Sequence, residues 1–490
     1  MNLRDLLHGV TADPVAAVPI AGIACHSKQV RPGDLFVARA GASADGHAFI
    51  DEAIRRGAVA VVAERLPTQQ TQACPCVMVR DSRQALVMIA TRFYGHPSRK
   101  LRLIGVTGTN GKTTTTYLLK TILEASGARA GLLGTIVYQI GGRVLPSTNT
   151  TPGPLELQRY FAQMVGEGLQ WCAMEVSSHA LAQHRIDGLE FEAGVFCNLG
   201  SDHLDYHKTR EAYAAAKRRL FEYVRPDGVA VLNTDDPYGA NLAETIPHTS
   251  IVSFGMERPA RVTIKEVACS WQGVTLVLDS PWGVVPLTTS LLGRHNVWNI
   301  AAAGTTLLAL GLDPGVLQRG LAALEQVPGR LERVPSETGV NILIDYAHTA
   351  DALRLVLMSL RELTRGRLMV IFGCGGNRDQ TKRPVMGKMA SLLADDVILT
   401  SDNPRGEDPM EIIQQIQAGF SPGFSRFEVM PDREQAIVAG LSAARRDDTV
   451  LIAGKGHEAY QTLDHVTVPF ADREVVDRWL AHRHSFALSE

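Results

Sequence analysis

Cysteine is scarce in this chain. Seven are scattered over 490 residues, with one close pair, Cys74-Pro-Cys76. An odd, dispersed set excludes a disulfide framework, and the pair lacks the second pair that a zinc site needs. Reduced, buried thiols are expected. No apolar run reaches the roughly 20 residues of a membrane span, so no stable membrane insertion is expected. The opening MNLRDLLHGVTADP has no signal-peptide h-region with a small-residue cleavage site, which points to a cytoplasmic protein. Charge of one sign is not in excess either: the net charge is -2 and the pI about 6.7. Nothing there forecasts nucleic acid as a partner. Internal repeats and low-complexity tracts are absent. What remains, 45% apolar and 20% charged, is an ordinary globular composition. The length exceeds one core and suggests about three domains.

What is present centres on LRLIGVTGTNGKTTTTYLLKTILEASG, residues 101 to 127. Leu103, Ile104 and Val106 have the makeup of a buried parallel strand. A turn holding Gly108, Thr109, Asn110 and Gly111 follows, then Lys112-Thr113. Leu118, Leu119, Ile122 and Leu123 form one face of a helix, and Gly127 stands where a helix C-terminus favours glycine. Strand, glycine turn, Lys-Thr and helix make a phosphate-binding P-loop. Backbone N–H groups and the helix N-terminus attract phosphate oxygens. Lys112 would reach the outer phosphates of ATP, and the Thr113 hydroxyl would ligate Mg²⁺. The strict pattern wants glycine at 106, where this chain has valine, so the motif is a TGTNGKT variant.

Short strands and helices alternate over residues 1 to about 90. Gly95 to Lys100 reads as a linker. From 101 to about 330 strand and helix alternate again, which argues a parallel sheet covered on both faces. Residues 261 to 290 read as a small antiparallel patch. Val327-Pro-Gly-Arg330 reads as a joint. From 331 onward a second alternation has strands ending at Asp345, Phe372, Thr400 and Ala453. The expected fold is therefore α/β in three domains, 1-95, 96-330 and 331-490. A P-loop parallel-sheet ATPase domain lies at the centre, and a Rossmann-like domain closes the chain.

Polar groups collect at the strand ends, where open α/β sheets bind ligands. Asn149-Thr150-Thr151-Pro152 is a loop suited to an anion or to a helix N-cap. Glu175, in MEVSSH, is placed for organising a metal, with Ser177, Gln183 and Arg185 following. Asp202, His203, Asp205 and His207 crowd the end of the next strand. Lys217 by spacing alone is a solvated cation. Further on come Asp345-Tyr-Ala-His348, a glycine loop with Arg378, then Asp402-Asn403-Pro404-Arg405 and Gly454-Lys-Gly-His-Glu458. These loops describe one cleft of mixed sign, fitted to a zwitterion.

In order, TGTNGKTTT, MEVSSH, NLxxDHLDYH, AKxxLF, the run Gly293-Arg-His-Asn296-Val-Trp-Asn299, DYAHTxD and GKGHE resemble the Mur ligases nearly end to end. These are the ATP-dependent enzymes that add amino acids to the peptidoglycan precursor. The Asp402-Asn403-Pro404-Arg405 loop resembles that of the members adding meso-2,6-diaminopimelate to UDP-N-acetylmuramoyl-L-Ala-D-Glu. The resemblance implies an N-terminal UDP-binding domain, a central ATP-binding domain and a C-terminal amino-acid domain. It implies uridine-nucleotide contacts at Ser27 and the loop Ala42, Ser43, Ala44. It implies contacts to the muramoyl-dipeptide at Asn149, Thr150, Thr151, Ser177, Gln183 and Arg185. Asn296 and Arg330 match positions near the ATP base and ribose. Arg378, Asp402, Asn403, Pro404, Arg405, Gly454 and Glu458 match diaminopimelate contacts. Lys217 matches a lysine carbamylated to N6-carboxylysine. Lys112, Glu175, His203 and Lys217 are the implied catalytic set. Thr113, Glu175, His203 and carbamylated Lys217 surround Mg²⁺, and a monomer is expected. This chain departs from the family at His26-Ser27-Lys28, where Asp-Ser-Arg is common, and at Ala350, where proline is.

Overall fold

The computed structural model describes the chain except residues 12–13, 42–43, 66–73, 247–249 and 488–490. Ala42 and Ser43 therefore lie outside the described residues. Three sheets carry the fold. The first is parallel, with strands Gly22–Ala24, Asp34–Val37, Ala60–Ala63 and Cys76–Met78 side by side in chain order.

The second has eleven strands. At its centre Arg102–Thr107 lies between Trp171–Glu175 and Phe191–Phe196, parallel to both. Its residues alternate between two cores. Ile104 and Val106 pack with Leu118, Leu119, Ile122 and Leu123, whereas Leu103 packs with Phe161 and Phe191 on the other face. This burial on both faces explains the unbroken apolar run. After Arg102–Thr107 the chain builds outward on one side, then returns past it to build the other. That reversal opens a crevice at the carboxyl end of the strand.

Both edges of this sheet are antiparallel. The strands Val262–Ser270, Gly273–Ser280 and Gly283–Thr289 form the expected patch, joined in parallel to Ile251–Gly255. The opposite edge, Val137–Ile140 with Arg143–Pro146, is a hairpin the sequence reading missed. Its outer strand is mostly exposed and too short for alternation to register. The helix that carries Lys217 is short: Arg210–Arg218 is α-helical, and Arg219–Tyr223 tightens to 3-10 before a strand begins at Val224.

The third sheet has Asn341–Asp345, Thr449–Ala453, Leu368–Phe372, Asp396–Leu399 and Phe427–Val429 in parallel, with Glu332–Val334 antiparallel at one edge. A separate hairpin, Tyr460–Leu463 with Val466–Pro469, was also unforeseen. All seven cysteines are free thiols; Cys74, Cys172, Cys197 and Cys374 are buried as expected, whereas Cys25, Cys76 and Cys269 are half-buried.

Candidate active site

The turn between Thr107 and Lys112 is shaped by two glycines with positive φ, Gly108 at 156° and Gly111 at 89°. At Gly111 a Cβ would lie 2.3 Å from Asn299 Oδ1, so only glycine fits. Asn198 clamps the turn from the neighbouring strand end, accepting from Asn110 N at 2.9 Å and donating to Asn110 O at 3.1 Å. Lys112 folds over the turn and donates to Gly108 O at 2.8 Å and Thr109 O at 2.9 Å. Burial lowers its pKa from the ordinary lysine value.

Around this turn lies a cavity of about 700 Å³. Thr109, Asn110, Gly111, Lys112, Thr113, Thr150, Glu175, Ser177, Asp202, His203 and Lys217 line it from the middle of the chain. Arg330 and the loop Asp345 to His348 line it from the C-terminal sheet. Glu175 is 1% exposed at its strand end. Its two oxygens accept from Thr135 N at 2.7 Å and Thr135 Oγ1 at 2.9 Å. Hydroxyl and carboxylate oxygens thus face the space beside the P-loop, a donor set that suits a hard cation.

Lys217 overturns its spacing. It is 1% exposed, not solvated, and donates to Gly108 O at 2.7 Å. The Tyr213 ring lies 4.4 Å from its Nζ. Desolvation, reinforced by the charge on Lys112, pushes its pKa well below that of a free lysine. The helix that carries it buries Tyr213, Ala214, Ala216 and Lys217 and leaves Ala212 and Ala215 exposed, so alanine spacing does not mark the inward face. His203 has φ of 56° and Nε2 3.5 Å from Asp202 Oδ2, and burial lowers its pKa to about 4. Burial works to raise the Asp202 carboxyl, but His348, His203 and Lys382 hold it below the usual value.

Thr151, Ser177, Gln183 and Arg185 form one network behind Glu175. Thr151 Oγ1 donates to Glu175 O at 2.9 Å, and Ser177 N donates to Thr151 Oγ1 at 3.0 Å. Arg185 reaches Gln183 Oε1 at 2.7 Å and Thr151 O at 2.9 Å. The loop 149 to 152 does not supply the helix N-cap, which is Gly153. Tyr138 OH instead fastens Asn149 through its backbone, at 2.5 and 3.0 Å. Thr150 Oγ1 meets Thr135 Oγ1 at 3.1 Å. Ser27 lies just past the first strand of the N-terminal sheet, buried, and donates to Glu52 Oε2 at 2.8 Å. Ala44 accepts from Gly41 N at 2.9 Å.

Asn296 turns inward, donating to Leu292 O at 2.7 Å and accepting from Asn299 at 2.8 Å. Asn299, one helical turn on, lines the cavity together with Trp298, whereas Asn296 is not in its lining. Arg330 donates to Thr113 Oγ1 at 3.1 Å, at the phosphate end, and stacks 4.6 Å from the Tyr346 ring.

The cleft expected from the C-terminal loops divides. Asp345 to His348 face the large cavity, whereas Arg378, Asp402 to Arg405, Gly454 and Glu458 are not among its lining. Tyr346 links the two regions: its ring contacts Arg330, His348 and His457, the last at 5.2 Å, and it leaves Gly456 no room for a Cβ. In the second region Arg405, with φ of 55°, donates to Gly376 O at 2.8 Å and Asn403 O at 3.3 Å. Among the described residues it pairs with no carboxylate. Glu407 is taken by Arg383 at 2.8 Å, and Asp408 caps the following helix. Arg378 is exposed, and its stem runs beside Gly375, next to the Arg405 guanidinium. Asp402 is 8% exposed and sits against Gly454, where a Cβ would be 2.7 Å from its Oδ2. Pro404 is buried in the same loop. Sequence reasoning missed Asn198, Tyr213, Trp298, Asn299 and Tyr346 as lining or clamping groups. Asn198, Trp298, Asn299 and Tyr346 stand inside the quoted motifs without a role of their own, and Tyr213 carries no signal apart from its place in space.

Comparison with known proteins gives the same picture. Residues 19–94 match the Mur ligase family catalytic domain, 106–307 the Mur ligase middle domain and 329–456 the Mur ligase glutamate ligase domain. The chain is 42% identical over 500 residues to the UDP-N-acetylmuramoyl-L-alanyl-D-glutamate--2,6-diaminopimelate ligase of Geobacter metallireducens, covering 97% of this chain and 98% of that one. It is 43% identical to the ligase of that name from Geobacillus kaustophilus, covering 96% and 95%. A solved structure of a ligase of that name superposes with a TM-score of 0.70 at 33% identity, covering 99% of both chains. A MurF of Acinetobacter baumannii, 19% identical with a TM-score of 0.71 and 98% of both chains covered, shares the fold.

Proposed function

The chain belongs to the Mur ligase family, and from that premise we propose that it joins meso-2,6-diaminopimelate to the D-Glu of UDP-N-acetylmuramoyl-L-Ala-D-Glu with cleavage of ATP. This is a step of peptidoglycan precursor synthesis. The observation that carries it is the half-buried Arg405 guanidinium, held on backbone carbonyls with no carboxylate partner among the described residues, one sheet away from the P-loop.

A free carboxylate is a poor electrophile. In the proposed reaction it attacks the terminal phosphorus of ATP, forms an acyl phosphate and releases ADP. The amine of diaminopimelate then attacks the acyl carbon, loses a proton, and phosphate leaves. Lys112 exchanges its hold on Gly108 O and Thr109 O for phosphate oxygens. The N–H groups of the turn hold the rest of the triphosphate. Asn299 and Trp298, with Asn296 behind them, flank the base, and Arg330 holds the phosphate end. The network of Thr151, Ser177, Gln183 and Arg185, with Asn149 and Thr150, holds the muramoyl-dipeptide beside Glu175. Ser27 and Ala44 face the uridine diphosphate.

Mg²⁺ when bound supplies positive charge to the transferring phosphoryl group. Thr113, Glu175 and His203 would hold it, with Lys217 as a fourth group. An ammonium cannot ligate a cation. Burial and the neighbouring Lys112 favour the free amine of Lys217, which adds CO₂ and loses a proton to become a carbamate, an anionic oxygen donor. Arg405 and Arg378 take the far carboxylate of diaminopimelate, and Asp402, Asn403 and Glu458 its ammonium. We place the domain joints at 95/96 and 330/331, and read the protein as a cytoplasmic monomer. Among the described residues no helix is long and apolar enough to cross a membrane.

The test is phosphate release with UDP-N-acetylmuramoyl-L-Ala-D-Glu, ATP and Mg²⁺, comparing diaminopimelate with lysine. Strong preference for diaminopimelate is expected. Equal use of lysine, or no release with either, sinks the reading.

A further inference from the structure

Lys455 is a lysine without a role so far. It stands between Gly454 and Gly456, just past the end of Thr449–Ala453, and is 0% exposed. A lysine buried to that degree has to be paired. Its Nζ lies 3.1 Å from Glu458 Oε2 and 3.3 Å from Asn403 Oδ1. Asn403 is itself 2% exposed. Its Oδ1 also accepts from Thr462 N at 3.0 Å, and its Nδ2 donates to Glu458 Oε2 at 3.0 Å.

This arrangement has one orientation only. Asn403 Oδ1 faces two donors, the ammonium and a backbone N–H. Turning the amide over would set its NH₂ against both and its oxygen against a carboxylate. Glu458 Oε2 is filled by two donors, whereas Glu458 Oε1 accepts no hydrogen bond among the described residues. The Lys455 charge offsets that of Glu458, which lets a second buried carboxylate, Asp402, stand close by. The pair presents one carboxylate oxygen without a hydrogen bond among the described residues, and no net charge of its own.

We propose that Lys455 is a positioning residue for the amino-acid substrate: through Asn403 and Glu458 it aims Glu458 Oε1 at the side-chain ammonium of diaminopimelate. The assignment rests on the ligase reading above. The alternative is that Lys455 merely fills the interior beneath the loop.

Lys455→Met keeps the length and apolar stem and removes the charge. The KM for diaminopimelate should rise roughly 10- to 100-fold, the effect of losing a hydrogen bond to a charged group. The KM for ATP and for the nucleotide substrate should stay unchanged. Trapping of the acyl phosphate by hydroxylamine, which needs no amino acid, should keep its wild-type rate. Because Lys455 acts through Glu458, Lys455→Met should add nothing to Glu458→Gln in the double variant. An unchanged KM for diaminopimelate, equal loss at all three substrates, or additive effects in the double variant would overturn the assignment. If Lys455→Met yields no folded protein, Lys455→Gln, which keeps a donor without the charge, is read the same way. A wild-type enzyme that releases no phosphate with any amino acid would end the ligase reading and this one with it. An active wild type with additive variants ends only the role of Lys455.

Discussion

At the Gly108 carbonyl two lysines meet, Lys217 at 2.7 Å and Lys112 at 2.8 Å. Two ammonium groups on one acceptor repel, and the pKa of the more deeply buried Lys217 is pushed well below that of a free lysine, by desolvation first and then by the charge on Lys112. Lys217→Ala should therefore lose ligation nearly completely while keeping its fold, because on the proposed reading what it removes is the carbamate. Bicarbonate or acetate added to the variant should restore part of the rate, measured as phosphate release. Full activity without either would refute this. Lys217 was legible only through the AKxxLF resemblance; its own spacing pointed to solvent. Arg405 was better announced by its loop, and the possibility that it paired with Glu407 or Asp408 is removed by Arg383 and by the helix cap. Arg405→Ala should raise the KM for diaminopimelate roughly 10- to 100-fold, since the lost hydrogen bonds are charged but the site is only half-buried. The KM for ATP should not move. Initial rates over both substrates decide it.

Among elements, the P-loop strand, turn and helix were the most readable, since composition, glycine placement and the Lys-Thr pair agree. Gly127 at the helix end has φ of 87°, as its position demanded. The two missed hairpins fail for the opposite reason. Arg143–Pro146 and Tyr460–Pro469 are short and largely exposed, and Val137–Ile140 buries Tyr138 and Ile140 but spans too few residues for the alternation to register, so little hydrophobic pattern marks them. The second still matters to the site: Gln461 Nε2 donates to Asp402 O at 2.7 Å and Arg405 N to Thr462 O at 3.1 Å, which fixes the loop carrying both. At the element scale the sharpest prediction concerns Gly111. A side chain there takes on the left-handed penalty of about 1–2 kcal/mol and also meets Asn299. Gly111→Ala should weaken ATP binding at least tenfold, read by titration calorimetry, with nucleotide-sugar binding intact. Equal ATP affinity would show that the turn is more yielding than its geometry implies.

At the scale of the whole molecule, strand order could not be read from the sequence, yet it decides what the strand ends face. The seam between the middle and C-terminal sheets gathers around Arg330, which holds Thr113 and stacks on Tyr346. Two histidines flank it, His295 and His457. Each has a buried Nδ1 with no hydrogen-bond partner among the described residues, and each is pushed down to about 4, first by burial and then by the Arg330 charge. An unfolded histidine titrates near 6.5. Above that pH both states are neutral and the seam keeps its full stability. As pH falls from about 6.5 towards 4, the unfolded chain takes up protons that the folded seam refuses, so stability falls with pH. Below about 4 both states are charged and the loss is complete. Carboxylates held low, such as Asp235 and Asp448, act in the same direction but only at lower pH, as they titrate below 3.8 when folded. The urea midpoint should therefore drop between pH 6.5 and 4. Replacing His295 and His457 together by Asn should flatten that drop without abolishing it, because His179 and His203 are lowered to about 4 as well. Arg330→Met should flatten it too, by removing the charge that opposes protonation of both rings. Hydrogen exchange at residues 327–331 and 454–457 should accelerate first as the pH is lowered. An identical pH slope in the double variant would show that these rings are not what loosens the seam in acid.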